Sequence, residues 1–160
     1  MTKQKTWKGI RLCCYTALAF CTAWAVFLLL GFIGLMTGWG NVDHAIKWSQ
    51  NNTLTKVVFL VVDIVSAAIT IGICVKAALN FLKGTRDSVV FPQDNVKLFF
   101  WLSLSYFVHR LCWSNHSIYF HDGFVFCYSH SNLVIPFCIL FFAFMYKVAA
   151  DAVEENNLTV

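Results

Sequence analysis

The sequence predicts an all-α integral membrane protein: a four-transmembrane-helix bundle with room for a small outer β-hairpin. Three observations predict it. The chain of 160 residues is 59% hydrophobic and only 12% charged, against about 25% charged in soluble domains. Its aromatic share is 17%, with 16 Phe and 6 Trp, which suits a lipid-facing surface and its interfacial belts. Apolar runs of bilayer length also alternate with short polar stretches. The length is that of one domain.

The first span is expected at about 12–37. Residues 12–42 hold no charged side chain. The run is longer than the apolar region of a cleavable signal peptide and has no small-residue cleavage site, so it reads as an anchor. Gly31 and Gly34 near its end suit close packing or a bend. The second span covers about 57–80 and the fourth about 133–150, with Pro136 in the early turns of the latter, where a missing N–H costs least. The third, about 95–113, is interrupted by His109 and Arg110.

Lys and Arg set the orientation. Lys3, Lys5, Lys8, Arg11, Lys76, Lys83, Arg86, Lys97 and Lys147 fall on one side, and Lys47, Lys56 and Arg110 on the other. That asymmetry predicts both termini in the cytoplasm. The basic residues sit at segment ends and do not cluster as a nucleic-acid groove would need, so direct nucleic-acid binding is excluded. Outside, residues 38–53 suit a short interfacial helix capped by Asn41, with Trp39 and Trp48 at headgroup level. In the second outer loop, Asp122-Gly123 stands between "IYFH" and "FVFC", a hairpin signal.

Asp63 is the only charge between Val57 and Val75. A carboxylate in mid-span costs about 2.5–3.5 kcal/mol on the insertion scale, so it needs a partner facing the bundle. It lies about 12 Å from the outer end of its span at 1.5 Å per residue. Arg110 lies at a matching depth on the third span, which predicts an Asp63–Arg110 pair. Asp63, Ser66, Thr70 and Cys74 recur at helical spacing, as do Ser103, Tyr106 and Arg110. Ser66, Thr70, Tyr106 and His109 are therefore the candidate polar lining. The competing reading is a small transporter or ion relay through Asp63 and His109. Against it, neither broken helices nor internal repeats are visible.

No catalytic motif stands out, and no cofactor is expected. None of the seven cysteines forms a Cys-x-x-Cys, which removes the thioredoxin-like and zinc-ribbon spacings. An outer-face metal or redox protein remains a third reading. It would use His116, His121, His130, Asp122 and Cys127, but their spacing matches no tight ligand motif, so no metal site is assigned. A Cys112–Cys127 disulfide on the oxidising side stays open. Asn51 and Asn115 head glycosylation patterns that read as chance.

Two stretches near the basic face carry the most specific pattern. Phe91, Asn95 and Val96 form a Phe-x-x-x-Asn-Val lead-in to the third span. Glu154, Glu155, Asn156, Leu158, Thr159 and Val160 form a Glu-Glu-Asn-x-Leu-Thr-Val tail, with "NLTV" expected as a short β-like strand. Together these resemble the bacterial membrane proteins of domain-of-unknown-function family 2975 (DUF2975), which match in length and in span order. Pro92 departs from the Ser or Thr cap usual there. The resemblance implies a bacterial inner-membrane protein with no assigned activity, often encoded beside a small helix-turn-helix regulator. The function expected is thus a non-enzymatic regulatory or accessory role. Phe91, Asn95, Glu154, Glu155, Leu158, Thr159 and Val160 would dock a cytoplasmic partner, with the strand added to a sheet edge.

Overall fold

In the computed structural model the chain runs up and down through four helices in sequence order. The structure describes residues 3–39, 46–48, 53–87, 89–121 and 126–158. The helices are α1 (Lys3–Thr37), α2 (Thr53–Asp87), α3 (Asp94–Ser114) and α4 (Ser131–Leu158), and a 3-10 turn (His116–Tyr119) follows α3. Packing runs between successive helices, α1 on α2, α2 on α3 and α3 on α4.

Local chemistry sets the helix ends. α1 closes at Gly38, whose φ of 64° lies in the left-handed region that glycine tolerates. Its N–H reaches the Gly34 carbonyl at 2.8 Å. α2 ends against its own turn: Val89 N–H donates to the Gly84 carbonyl at 2.9 Å. A Cβ on Gly84 would stand 2.5 Å from the Val89 oxygen, so the close approach requires glycine. α3 starts just after Pro92 with Asp94 in its first turn, where the helix dipole favours a carboxylate. Pro136 sits inside α4, and its carbonyl accepts a hydrogen bond from Ser103 of α3 at 2.8 Å.

Two apolar clusters lie at opposite ends of the bundle. One gathers Ala77, Val96, Phe99, Ala143, Tyr146 and Ala150, with Phe81 and Phe91 against it. The other gathers Ile46, Ile118 and Tyr119, with Leu35, Phe59, Leu60 and Phe120. Outside these, large apolar side chains cover the surface; Phe20, Phe27, Phe137, Phe141 and Val148 are each more than 60% exposed. Among the described residues, α1, α2 and α4 are long and apolar enough to cross a membrane. α3 is not in that set, because Asp94, Lys97, Ser103, Ser105, His109 and Arg110 dilute its hydropathy.

Three local expectations change. The "IYFH" arm of the hairpin is not extended, since Ile118 and Tyr119 belong to the 3-10 turn. Asp122–Val125 lies outside the described residues, among which there is no strand. The tail is not a strand where it is described, because α4 continues helically to Leu158; Thr159 and Val160 lie outside. Ile46–Trp48 is not helical, and its backbone is tied down by Ile46 N–H to Leu35 O and Lys47 N–H to Tyr119 O, both 2.9 Å. Asn41 and the rest of that expected interfacial helix fall outside the described residues.

Candidate functional site

Between the two apolar clusters, the α2–α3 interface is polar. On α2 the buried face includes Lys56, Ser66, Thr70 and Ala77. Steps of seven residues link Lys56, Asp63, Thr70 and Ala77, two helical turns each. On α3 the buried face runs through Asn95, Phe99, Ser103, Ser105, His109 and Cys112. Facing each other, these stripes bring Asp63 Oδ1 to 2.9 Å from His109 Nδ1. The two side chains are 20% and 8% exposed, respectively. Trp24 of α1 covers the imidazole with ring centroids 5.6 Å apart.

This corrects the expected Asp63–Arg110 pair. Consecutive helical residues point about 100° apart, so α3 cannot aim both side chains at α2. Position 109 shares the face of Ser105 and Cys112, at offsets of four and three, and is buried; Arg110 rotates off that face and is half-buried. Among the described residues no carboxylate lies within 4 Å of Arg110. Depth was legible in the sequence, but phase was not.

Toward the basic end the interface continues through hydroxyls. The Thr70 hydroxyl lies 2.8 Å from the Ser66 carbonyl and 3.1 Å from Ser105 Oγ. Ser66 Oγ donates to the Asp63 carbonyl at 3.0 Å, and Ser105 Oγ to Leu102 O at 3.3 Å. Tyr106 is half-buried, and among the described residues no hydrogen bond joins it to this line. The hydroxyls thus stitch side chain to backbone. They do not form a continuous chain from the Asp63 carboxylate.

On the other side lies Tyr119, 1% exposed, whose hydroxyl has no hydrogen-bond partner among the described residues. Burial first, and the nearby Asp63 carboxylate and Cys112 second, push its phenol well above the ordinary tyrosine range. Lys56 is fully buried, and its ammonium donates to the Lys47 carbonyl. In the sequence Lys56 counted only as one of three basic residues on the outer side. Its seven-residue offset from Asp63 was the signal that it shares the same stripe.

Three of the residues expected to dock a partner, Phe91, Asn95 and Glu154, make contacts within the chain. Asn95 is fully buried. Its amide oxygen accepts from Asn80 at 2.8 Å and its amide nitrogen donates to Ala77 O at 3.3 Å. Phe91 packs edge-on against Tyr146, whose hydroxyl donates to Pro92 O at 3.1 Å. Gln93 donates to Glu154 at 2.9 Å and lies 3.3 Å from Asp151. Glu155 is exposed, and the Leu158 side chain lies outside the described residues.

The outer cysteines and histidines do not converge. Cys112 is buried, Cys127 is exposed, and no disulfide joins them. Among the described residues no group of three His, Cys, Asp or Glu side chains could hold a metal ion. Asn115 is 1% exposed and clamps Cys127 by accepting its N–H at 2.7 Å and donating to its carbonyl at 2.9 Å, which places the amide out of reach of glycosylation. No family model, curated protein or solved structure matches the chain. What fold and site define is an all-helical protein with three membrane-span-like helices and a buried carboxylate–imidazole pair.

Proposed function

We propose that this chain is a non-enzymatic, four-span protein of a bacterial inner membrane, with both termini cytoplasmic, and that Asp63–His109 is a proton-responsive clamp between α2 and α3. One observation carries the reading: the carboxylate meets imidazole and not guanidinium. Guanidinium stays charged at any working pH, whereas an imidazole has both a neutral and a charged form. An Asp–Arg pair would be a fixed rivet; an Asp–His pair is a rivet whose strength follows protonation. α3 serves as the fourth span in this reading, its polar face covered by α2 and α4.

A through-membrane relay has less support, because the interfacial hydroxyls end on backbone carbonyls. The accessory role and a helix-turn-helix partner rest on the DUF2975 resemblance. The lead-in motif supports it only as a structural device, since Phe91 packs on Tyr146 of α4, Asn95 ties α3 to α2, and Val96 joins the core they share. A partner would meet Glu155 and the end of the tail.

The test uses Trp24. Protein in lipid nanodiscs is titrated from pH 8 to pH 5 while tryptophan emission is read. Emission of the wild type and of Arg110→Gln should change together. His109→Gln and Trp24→Phe should flatten that change. His116→Gln controls for a further Trp–His contact, at Trp113. An undiminished response in folded His109→Gln would overturn the proposal.

A further inference from the structure

A second site, unrelated to the clamp, lies at the basic end between α1 and α2. A cavity of about 140 Å³ is lined by Arg11, Tyr15, Leu82, Thr85 and Arg86, more than one water needs. Thr85 organises it. Its hydroxyl donates to Leu82 O at 2.7 Å and accepts from Arg11 Nε at 3.1 Å. Arg11 Nη2 lies 3.5 Å from Thr85 O. The guanidinium is thereby held across the gap between the helices, and its remaining N–H groups have no partner among the described residues. Arg86 lines the same cavity, and among the described residues no carboxylate lies within 4 Å of either arginine. The nearest acidic side chain in sequence, Asp87, is exposed. Lys8 and Lys83 sit three residues before each arginine and deepen the positive field.

We infer that this cavity binds a phosphate group, with Arg11 and Arg86 as its charged donors and the Tyr15 hydroxyl as a neutral one. Two guanidinium groups present planar arrays of donors that fit phosphate oxygens, and two cations with no bound counter-charge favour an anion. Leu82 in the lining offers apolar surface to an acyl chain. Basic pockets between spans on the cytoplasmic side suit anionic headgroups. A lipid phosphodiester is therefore the source that fits, and it rests on the membrane placement proposed above.

Native mass spectrometry of detergent-purified protein supplied with phosphatidylglycerol or phosphatidylcholine tests this. The wild type should retain phosphatidylglycerol over phosphatidylcholine. Arg86→Gln, which breaks no hydrogen bond given above, should weaken retention about tenfold, and Arg11→Gln with Arg86→Gln should abolish the preference. Lys8→Gln with Lys83→Gln removes the same charge without touching the cavity lining and should keep most of it. Displacement of lipid by millimolar inorganic phosphate, lost in the arginine variants, would identify free phosphate as the ligand of the same site. Equal loss in the lysine and arginine pairs, or no preference in the wild type, would overturn the site. Membrane partitioning of the wild type separates that result from failure of the membrane reading.

Discussion

One helical step, from position 110 to position 109, separates two chemistries at Asp63. The partner removed from a buried pair leaves a charge uncompensated, which costs about 3–5 kcal/mol, whereas replacing both by apolar groups can be nearly neutral. His109→Leu alone, which leaves the Asp63 carboxylate without its partner, should therefore lower the folded protein in membranes, and Asp63→Leu with His109→Leu should recover much of it. Arg110→Leu should rescue nothing, as quantified by membrane abundance. Tyr119 gives a second residue-scale expectation. Its phenol ionises at about pH 10 in an unfolded chain, but burial and Asp63 raise that value in the fold. The stability it contributes is present below about pH 10 and fades as pH rises toward the folded value, because only the unfolded chain can release the proton. Tyr119→Phe should flatten that alkaline loss and be neutral or slightly stabilising at pH 7, since the buried hydroxyl has no partner. Thermal unfolding from pH 7 to 11 checks both. Asp63 was legible in the sequence because a lone charge in an apolar run is conspicuous. Its partner entered only through the competing reading with His109, and the choice between positions 109 and 110 was not legible, because depth follows from counting residues, whereas helix phase follows from which face meets a neighbour.

At the scale of elements, the two sides of the α2–α3 turn are tightly held. Gly84 admits no Cβ beside the Val89 carbonyl, and Pro92 contributes its carbonyl to Tyr146 and to the first turn of α3. Gly84→Ala should cost about 1–3 kcal/mol through forced displacement of the turn, read as a lower unfolding midpoint. Gly72→Ala in the same helix meets nothing within 4 Å and should not lower it. The helical tail follows from side-chain geometry that β-propensity ignores. Asp151 and Glu154, three residues apart on one helical face, both meet Gln93, and Lys147–Asp151 adds a pair at 3.7 Å. A β-branched ending could not announce this, because Gln93 lies 61 residues from Glu154 in sequence. The existence and order of the four helices were legible, since apolar runs of bilayer length have few other solutions.

For the whole molecule, two apolar clusters enclose a polar layer, and a coat of exposed Phe, Leu and Val surrounds them. An exposed apolar surface of that extent calls for a non-aqueous covering. With nine basic residues toward one end, a periplasm-only reporter fused to either terminus should be inactive, and one inserted between α1 and α2 active. The account stands or falls on positions 63 and 109 acting together and responding to protons. The most direct measurement is a double-mutant cycle of unfolding stability with Asp63→Asn and His109→Gln, repeated at pH 5, 6, 7 and 8. The clamp predicts a coupling that is clearly favourable and changes with pH, with none between Asp63→Asn and Arg110→Gln. A coupling of zero, one that does not change with pH, or one that appears at position 110 instead would contradict it.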